Sequence, residues 1–283
     1  RIIKRKKGSN RYYYLQHSFR RTGKVITREV YLGKEIPKNI EEIKQKLKNQ
    51  SKADVYKKLA KIKKNFRSEW KNLPKSAIER ELKEIAIAFT YNTNAIEGSA
   101  ITLEEVREII EDKIAPHKPI SDIKETESHA AVFLEMLDKK VPISIPMLLR
   151  WHQEIFGETK PDISGRFRRY LVRVGDYIAP DWQEAEKLMS QLIVFIRRQH
   201  TMNPVELAGM AHYKFEKIHP FGDGNGRIGR LIMNYILWHS GYPMIIVEYK
   251  NRRSYYKALR KSEEQFLDYF LKRYLSVHKK RCA

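Results

Sequence analysis

A chain of 283 residues with 42% hydrophobic content can bury a sizeable core, while its single cysteine, Cys282, excludes an internal disulfide framework. No run approaches the roughly 20 uninterrupted apolar residues of a membrane span, so the expectation is a soluble protein of a reducing, cytoplasmic compartment with no membrane partner. The net charge of +22 is local, since residues 1 to 80 hold 25 Lys+Arg against 7 Asp+Glu, which is +18 and leaves +4 for the rest. That segment suggests nucleic acid or another polyanion as a partner, and a solvated basic face with none is the competing reading.

In chain order, Tyr12 to Arg20 and Val25 to Gly33 are rich in aromatic and β-branched residues, and Arg21-Thr-Gly-Lys24 between them reads as a hairpin turn. From Ile40 the apolar residues take helical spacing (Ile43, Leu47, Val55, Leu59, Ile62, Phe66, Trp70, Leu73) up to Pro74, predicting one or two long basic helices. Residues 1–75 are thus expected to form a basic β-hairpin with a helical extension. Beyond them the pattern is helix after helix, at 76–97, 102–113, 121–138, 144–156, 182–199, 204–217, 226–239, 251–261 and 263–278. Ser144 with Pro146, and Asn203 with Pro204, mark two helix starts. Gly165 to Pro180 alternates around Gly175-Asp176 and predicts a β-hairpin inserted among the helices. The fold class is therefore mainly α.

The segment His219-Pro-Phe-Gly-Asp-Gly-Asn-Gly-Arg-Ile-Gly-Arg230 runs straight into a helix, bringing a histidine, a carboxylate, glycines and two arginines together. Glycines beside Asn225 let backbone N–H groups turn inward as an anion-binding concavity, and the helix N-terminus adds its positive end. Arg227 and Arg230, three apart, suit the outer phosphates of a polyphosphate. Asp223 is placed to hold a divalent cation bridging those phosphates, and His219 to take a proton from an incoming hydroxyl. These are the parts of a nucleotidyl transfer. A second feature stands upstream, where Thr93-Asn-Ala-Ile-Glu97-Gly98 ends one helix and Thr102-Leu-Glu-Glu105 offers a capping box for the next. A carboxylate at Glu97 opposes the negative end of its helix dipole, costing about 0.3–1 kcal/mol, a conflict that an arginine partner would repair.

The twelve residues resemble the Fic family signature, His-x-Phe-x-Asp/Glu-Gly-Asn-Gly-Arg-x-x-Arg, with every fixed position filled, and Thr93, Glu97 and Gly98 resemble the Ser/Thr-x-x-x-Glu-Gly/Asn inhibitory motif of that family. The resemblance covers about residues 76–262. It implies a helical bundle over 76–283 with an inhibitory helix at 76–97, and a β-hairpin flap in which Val174, Gly175, Asp176 and Tyr177 lie over the active site and clamp an extended segment of a target by strand addition. It also implies transfer of AMP from ATP, with Mg²⁺, to a Ser, Thr or Tyr hydroxyl of a protein, releasing pyrophosphate. His219 is the implied base and Asp223 the metal ligand. Gly224, Asn225, Gly226, Arg227, Ile228, Gly229 and Arg230 form the implied phosphate cradle, with Phe221 anchoring the loop. Glu97 is the implied inhibitor through pairing with Arg230. Tyr255 and Tyr256 resemble the family's nucleoside contacts, although Glu263 stands where some members carry Asn. His212 and His152 lack a metal-ligand pattern and read as structural.

Other readings stay open. The same parts suit removal of AMP with Glu97 orienting a water, or transfer of another phosphorylated group. The basic segment suits a nucleic-acid-binding regulator, or a docking module for a target or for self-association as a homodimer.

Overall fold

A computed structural model describes residues 1–21 and 24–282, so the expected turn residues Thr22 and Gly23 lie outside the described residues. The chain divides into two compact units, Arg1–Lys61 and Ile62–Ala283.

The first unit opens with a three-stranded antiparallel sheet in the order β1 (Ile2–Lys7), β2 (Asn10–Arg21) and β3 (Lys24–Gly33). The sequence pattern predicts only the second and third strands. β1, IIKRKK, hides because four of its residues are Lys or Arg and no apolar alternation marks it. It is joined to β2 by Gly8-Ser9, with Gly8 at φ +61°, the glycine-first arrangement of a two-residue hairpin turn. Helix α1 (Ile40–Lys71) follows as one continuous helix and carries the unit boundary within it. Its early apolar positions, Leu47 and Leu59, are buried, as the helical spacing requires.

The second unit is a helical bundle. It comprises the end of α1, then α2 (Lys75–Ile96), α3 (Leu103–Arg107), α4 (Ile120–Asp138), α5 (Ile145–Phe156), α6 (Ala185–Arg198), α7 (Pro204–Ile218), α8 (Asn225–His239), α9 (Arg252–Leu259), α10 (Glu263–Val277) and the short α11 (Lys279–Cys282). Between α5 and α6 lies a two-stranded hairpin, β4 (Arg173–Val174) with β5 (Tyr177–Ile178). Starts and stops follow side-chain chemistry: Thr102 and Glu105 form the capping box of α3, and Ser144 and Asn203 cap α5 and α7 ahead of their prolines. Two expected elements come out differently. The helix over 102–113 turns into a π-helical turn at Glu108–Asp112 and ends at Lys113 in the left-handed region. The hairpin pairs over two residues per strand, with one further backbone bond from Ala179 N–H to Val172 O at 3.1 Å, and beyond it Arg168 holds Tyr170 O and Pro180 O.

Helix α8 is the hub, packed against α7, α4, α2 and α5 and buried from Asn225 to Leu237 on every side except at Gly226. Leu231, Ile232 and Leu237 are fully buried, each contributing about 1.5–3 kcal/mol of transfer free energy. Phe89 of α2 stacks on Phe133 of α4 at 4.6 Å, and Phe66 and Trp70 of α1 meet Trp238 at 5.9 and 5.1 Å. The packing fixes the N-terminus of α8 beside the C-terminus of α2, where the two sequence motifs lie. No helix among the described residues is long and apolar enough to cross a membrane.

Candidate active site

Helix α7 ends at His219, whose φ of +50° puts a non-glycine residue in the left-handed region. The strain is held by two hydrogen bonds: the His219 N–H donates to Phe215 O at 2.9 Å, and Arg168 Nε donates to His219 O at 2.8 Å. Burial lowers the pKa of the imidazole, leaving it neutral and able to accept a proton near pH 7. Phe221 is fully buried and stacks on His152 at 4.0 Å, so the loop is pinned two residues after the base. The His152 ring is tied to Asp223 O and Gly165 N–H at 3.0 Å each, and burial lowers its pKa to about 4. Both observations make His152 a scaffold.

The loop enters α8 through Gly224 at φ +75°, and no side chain caps the helix. An ideal Cβ on Gly224 would lie 2.4 Å from the Phe156 ring, so only glycine fits. Asn225, which normally would be read as a cap or a ligand, is buried and turned backward: Phe221 N–H donates to its Oδ1 at 2.8 Å, and its Nδ2 donates to Phe221 O at 2.9 Å. It clips the loop shut. The first-turn amides of α8 therefore have no side-chain acceptor and face an anion site. Ile228 is buried in the core, and Gly229 packs against Glu216 and His212, so these two shape the helix rather than reach the cradle with side chains.

The two arginines have separate partners. Arg227 Nη1 donates to Glu125 Oε2 of α4 at 2.5 Å, and its guanidinium lies 4.3 Å over the Phe156 ring. Glu125 also accepts from Lys160 at 2.7 Å and from the Thr159 hydroxyl at 2.8 Å; burial works against ionisation, but these cations keep its pKa below the ordinary value. Arg230 donates through Nε to Thr93 Oγ1 at 2.7 Å and through Nη2 to Glu97 Oε1 at 2.5 Å and Thr93 O at 3.2 Å. Burial opposes the charge of Arg230, and the Glu97 carboxylate outweighs it and holds the guanidinium protonated. The expected cation at the end of α2 is thus Arg230.

Glu97 is fixed by its helix end. Gly98, at φ +100°, and Ser99 close α2 with N–H bonds to Ala95 O and Asn94 O, the paired bonds of a Schellman stop. The carboxylate that this stop presents fills the space over Gly226, where an ideal Cβ would lie 2.2 Å from Glu97 Oε1. A carboxylate therefore lies against the first turn of α8 beside Gly226, held there by Arg230. A third carboxylate, Glu216, is buried three residues before His219 with its Oε1 unpartnered, and desolvation raises its pKa to about 7 despite the nearby Arg230.

Asp223 is the most open acid of the loop, with 48% of its side chain exposed. Its Oδ1 accepts from Gly224 N–H at 2.6 Å, and its Oδ2 lies 2.8 Å from Lys160 Nζ and 3.8 Å from Arg227 Nη2. Burial works against its charge, but these cations keep its pKa below the usual value. Among the described residues no three His, Cys, Asp or Glu converge as a metal cage.

Around the loop, Val174, Gly175 and Asp176 form the exposed tip of the hairpin, and Tyr177 donates its hydroxyl to Lys217 O at 2.7 Å. A groove of about 450 Å³ runs beside it, lined by Tyr177, Leu188, Leu192, Phe195 and Lys217. The two tyrosines of α9 part company. Tyr255 is buried, 2.7 Å from His212 Nε2 through its hydroxyl, which leaves no free face for a base. Tyr256 is 37% exposed and donates to Ile96 O at 3.3 Å, beside Glu97.

Sequence reasoning missed Arg168, Glu125, Lys160 and Thr159. Arg168, 3% exposed, donates to His219 O, to Tyr170 O at 2.8 Å and to Pro180 O at 2.6 Å, tying the base to both feet of the hairpin. In the sequence Arg168 is one of several arginines of the Gly165–Pro180 segment, and nothing there shows whom it holds.

Residues 142–237 match the model of the Fic/DOC family. Among curated proteins the chain is 35% identical to protein adenylyltransferase Fic of Nematostella vectensis, over 64% of this chain and 44% of that protein. It is equally 35% identical to the protein of the same name in Drosophila melanogaster, over 66% of this chain and 39% of that one. Of solved structures, Fic-1 (residues 134–508) of C. elegans aligns with TM-score 0.68 and 26% identity over 86% of this chain and 76% of that chain. A Fic domain containing signaling protein of Bacteroides thetaiotaomicron gives 0.69 at 21% identity, over 80% and 95%, which shows the fold. The chain belongs to the Fic/DOC family. It spans less than half the length of the curated relatives it matches.

Proposed function

We propose that this chain is an autoinhibited protein adenylyltransferase, which moves AMP from ATP onto a Ser, Thr or Tyr hydroxyl of a target protein. The observation that carries the reading is the Glu97 carboxylate, 2.5 Å from Arg230 and seated over Gly226 at the uncapped start of α8. A carboxylate held by a buried arginine beside an uncapped helix start marks ground suited to an anion, and Glu97 is the residue that withholds it.

In the reaction the target hydroxyl oxygen bonds to the α-phosphorus of ATP, the bond to the bridging oxygen of the β-phosphate breaks, and pyrophosphate leaves. His219, neutral through burial, accepts the hydroxyl proton on its imidazole. The amides of the first turn of α8 and Arg227 stabilise the charge that develops on the phosphates. Arg230 receives the γ-phosphate once Glu97 has withdrawn. With Glu97 in place, nucleotide sits with its α-phosphate turned from the line of attack, and a misplacement of that kind costs about 100-fold in rate. Tyr256 lies at the open rim suited to the nucleoside.

Asp223 fits a Mg²⁺ that arrives with nucleotide: it is one half-open carboxylate, already facing cationic Lys160, and Mg²⁺ in phosphate chemistry takes one or two carboxylates plus phosphates and waters. The ion would neutralise phosphate charge there. The target segment is read as extended, adding to the exposed hairpin at Arg173–Val174 and Tyr177–Ile178, with Arg168 holding that hairpin in step with His219.

The test is to incubate wild type, Glu97→Gly and Glu97→Gly/His219→Ala with Mg²⁺ and ATP labelled on the α-phosphate and follow label on protein. Strong label with Glu97→Gly, about 100-fold less with wild type, and none with the double variant is the expected result. Bound nucleotide without label in any variant would overturn the reading in favour of another donor or of AMP removal.

A further inference from the structure

The N-terminal sheet is not accounted for by adenylyl transfer. Its 33 residues carry 10 Lys+Arg and one acid, Glu29, and that acid is spoken for by Arg5 at 2.7 Å and Gln16 at 2.9 Å. The registers place Arg5 opposite Tyr12, Ile3 opposite Tyr14, and Tyr14 opposite Tyr31, so Tyr12, Tyr14, Tyr31 and Arg5 share one face. Leu15, the buried residue of β2, points to the other face. The face with the tyrosines is open: Tyr31, on the edge strand β3, is 55% exposed.

The rings form a row. Tyr12 and Tyr14 stand on either side of Tyr31 at 6.1 and 5.3 Å between centroids, and the Arg5 guanidinium lies 4.7 Å over Tyr14. Successive rings on one strand lie about 7 Å apart, a spacing that a strand of unpaired bases can follow with one base per ring. On the same face Lys7 stands two residues beyond Arg5 and is exposed, while Lys4, Lys6 and Arg11, also exposed, point to the other face and add to the positive field of the sheet. Cations alone would suit any polyanion. An aromatic row among cations suits an anion that also carries flat rings, and those rings must be unstacked from a partner strand to be reached.

We propose that this face binds a single-stranded polynucleotide, with bases stacked on Tyr14 and Tyr31 and the phosphate backbone met by Arg5 and Lys7 of β1. A duplex offers the phosphates but not the rings, and an acidic peptide leaves the tyrosines unused. The site is independent of the Fic signature, so the proposal does not rest on the transferase reading.

The experiment uses the full chain and fluorescence anisotropy with labelled 12-mers of oligo-U and oligo-dT, the corresponding duplex, and a poly-glutamate peptide. Binding of at least one single strand, about tenfold or more over duplex and poly-glutamate, is expected, with affinity falling steeply with salt. A preference between oligo-U and oligo-dT identifies RNA or DNA as the natural strand. Tyr14→Ala/Tyr31→Ala should lose roughly 10-fold or more for the single strand with the salt slope unchanged, while Tyr14→Phe/Tyr31→Phe should keep the affinity and control for folding. His219→Ala should bind like wild type. Equal binding of duplex and single strand with no effect of the alanine pair, preference for poly-glutamate, or no binding at low salt would each overturn the proposal.

Discussion

The two arginines of the signature loop sit one helical turn apart on α8 and are held in opposite ways. Arg227 and its partner Glu125 are both nearly fully buried, with side-chain exposures of 6% and 9%, and Glu125 gathers Lys160 and Thr159 as well. Arg230 is equally buried, at 2%, but its partner Glu97 is 29% exposed and stands at a helix end where its charge opposes the dipole. One pair is an anchor woven into α4 and the loop after α5. The other, the latch of the proposed function, has an acidic half that faces solvent and a basic half with a second holder in Thr93. A buried arginine can be structural or functional; what separates the cases is whether its counter-ion can leave into water without stranding a charge.

The largest expected effect tests that distinction. Glu125→Ala leaves the nearly buried Arg227 with only Asp223, 3.8 Å away, and should cost about 3–5 kcal/mol of unfolding free energy in a denaturant titration. Glu97→Ala should cost less than half as much, because solvent reaches the vacated position and Thr93 still accepts from Arg230. Only Glu97→Ala should raise self-labelling from α-labelled ATP; Glu125→Ala should lower it. Equal stability losses, or activation by both, would erase the contrast between anchor and latch.

Glu216 sharpens the comparison next. It faces Arg230, Glu97, His212 and Lys217, and desolvation by burial raises its pKa to about 7, with its Oε1 left without a donor. A carboxyl whose folded pKa exceeds its unfolded value binds protons more tightly when folded, so its contribution falls as pH rises from about 4.5 to about 7. His152, His212 and His219 have lowered pKa values and act in the opposite direction, losing stability as pH falls below their unfolded value near 6.5. Subtracting Glu216→Gln from wild type isolates the carboxyl: the difference should shift against wild type by up to about 3 kcal/mol between pH 4.5 and 7 and stay flat above. A flat difference throughout would mean that Arg230 already neutralises Glu216, and that the latch has two acids instead of one.

Much of this was legible in the sequence. The helices from Lys75 onward follow apolar spacing and cap residues, and the pairing of Glu97 with Arg230 was implied by the two motifs together. What stayed hidden has a common cause. Strand β1 is written in lysine and arginine, which carry no periodic apolar signal. Glu125 and Lys160 are ordinary charged residues until tertiary packing brings Glu125 to Arg227 over a separation of 102 residues and Lys160 to Glu125 over 35, and Arg168 becomes a clamp only because the hairpin returns to it. Asn225 and Tyr255 have the right chemistry for ligands, yet burial assigns both side chains to internal bonds. Local pattern reports which groups a segment owns, and long-range packing decides which remain free.

The smallest effect bears on what aims the latch. Thr93 accepts from Arg230 Nε with its hydroxyl at 2.7 Å and from Nη2 with its carbonyl at 3.2 Å, so the guanidinium has a fixed orientation that does not depend on Glu97 alone. Thr93→Val keeps shape and burial but removes one acceptor of a charged donor, a loss of about 1.5 kcal/mol. If that bond helps direct Arg230 toward Glu97, basal self-labelling should rise by up to about tenfold, since 1.4 kcal/mol is a factor of ten. In a Glu97→Gly background there is no latch left to weaken, and the same substitution should leave labelling level or lower it by misdirecting Arg230 toward the γ-phosphate. Activation by Thr93→Val in both backgrounds would place the hydroxyl's effect on catalysis itself, and the latch would then rest on Glu97 and the helix end alone.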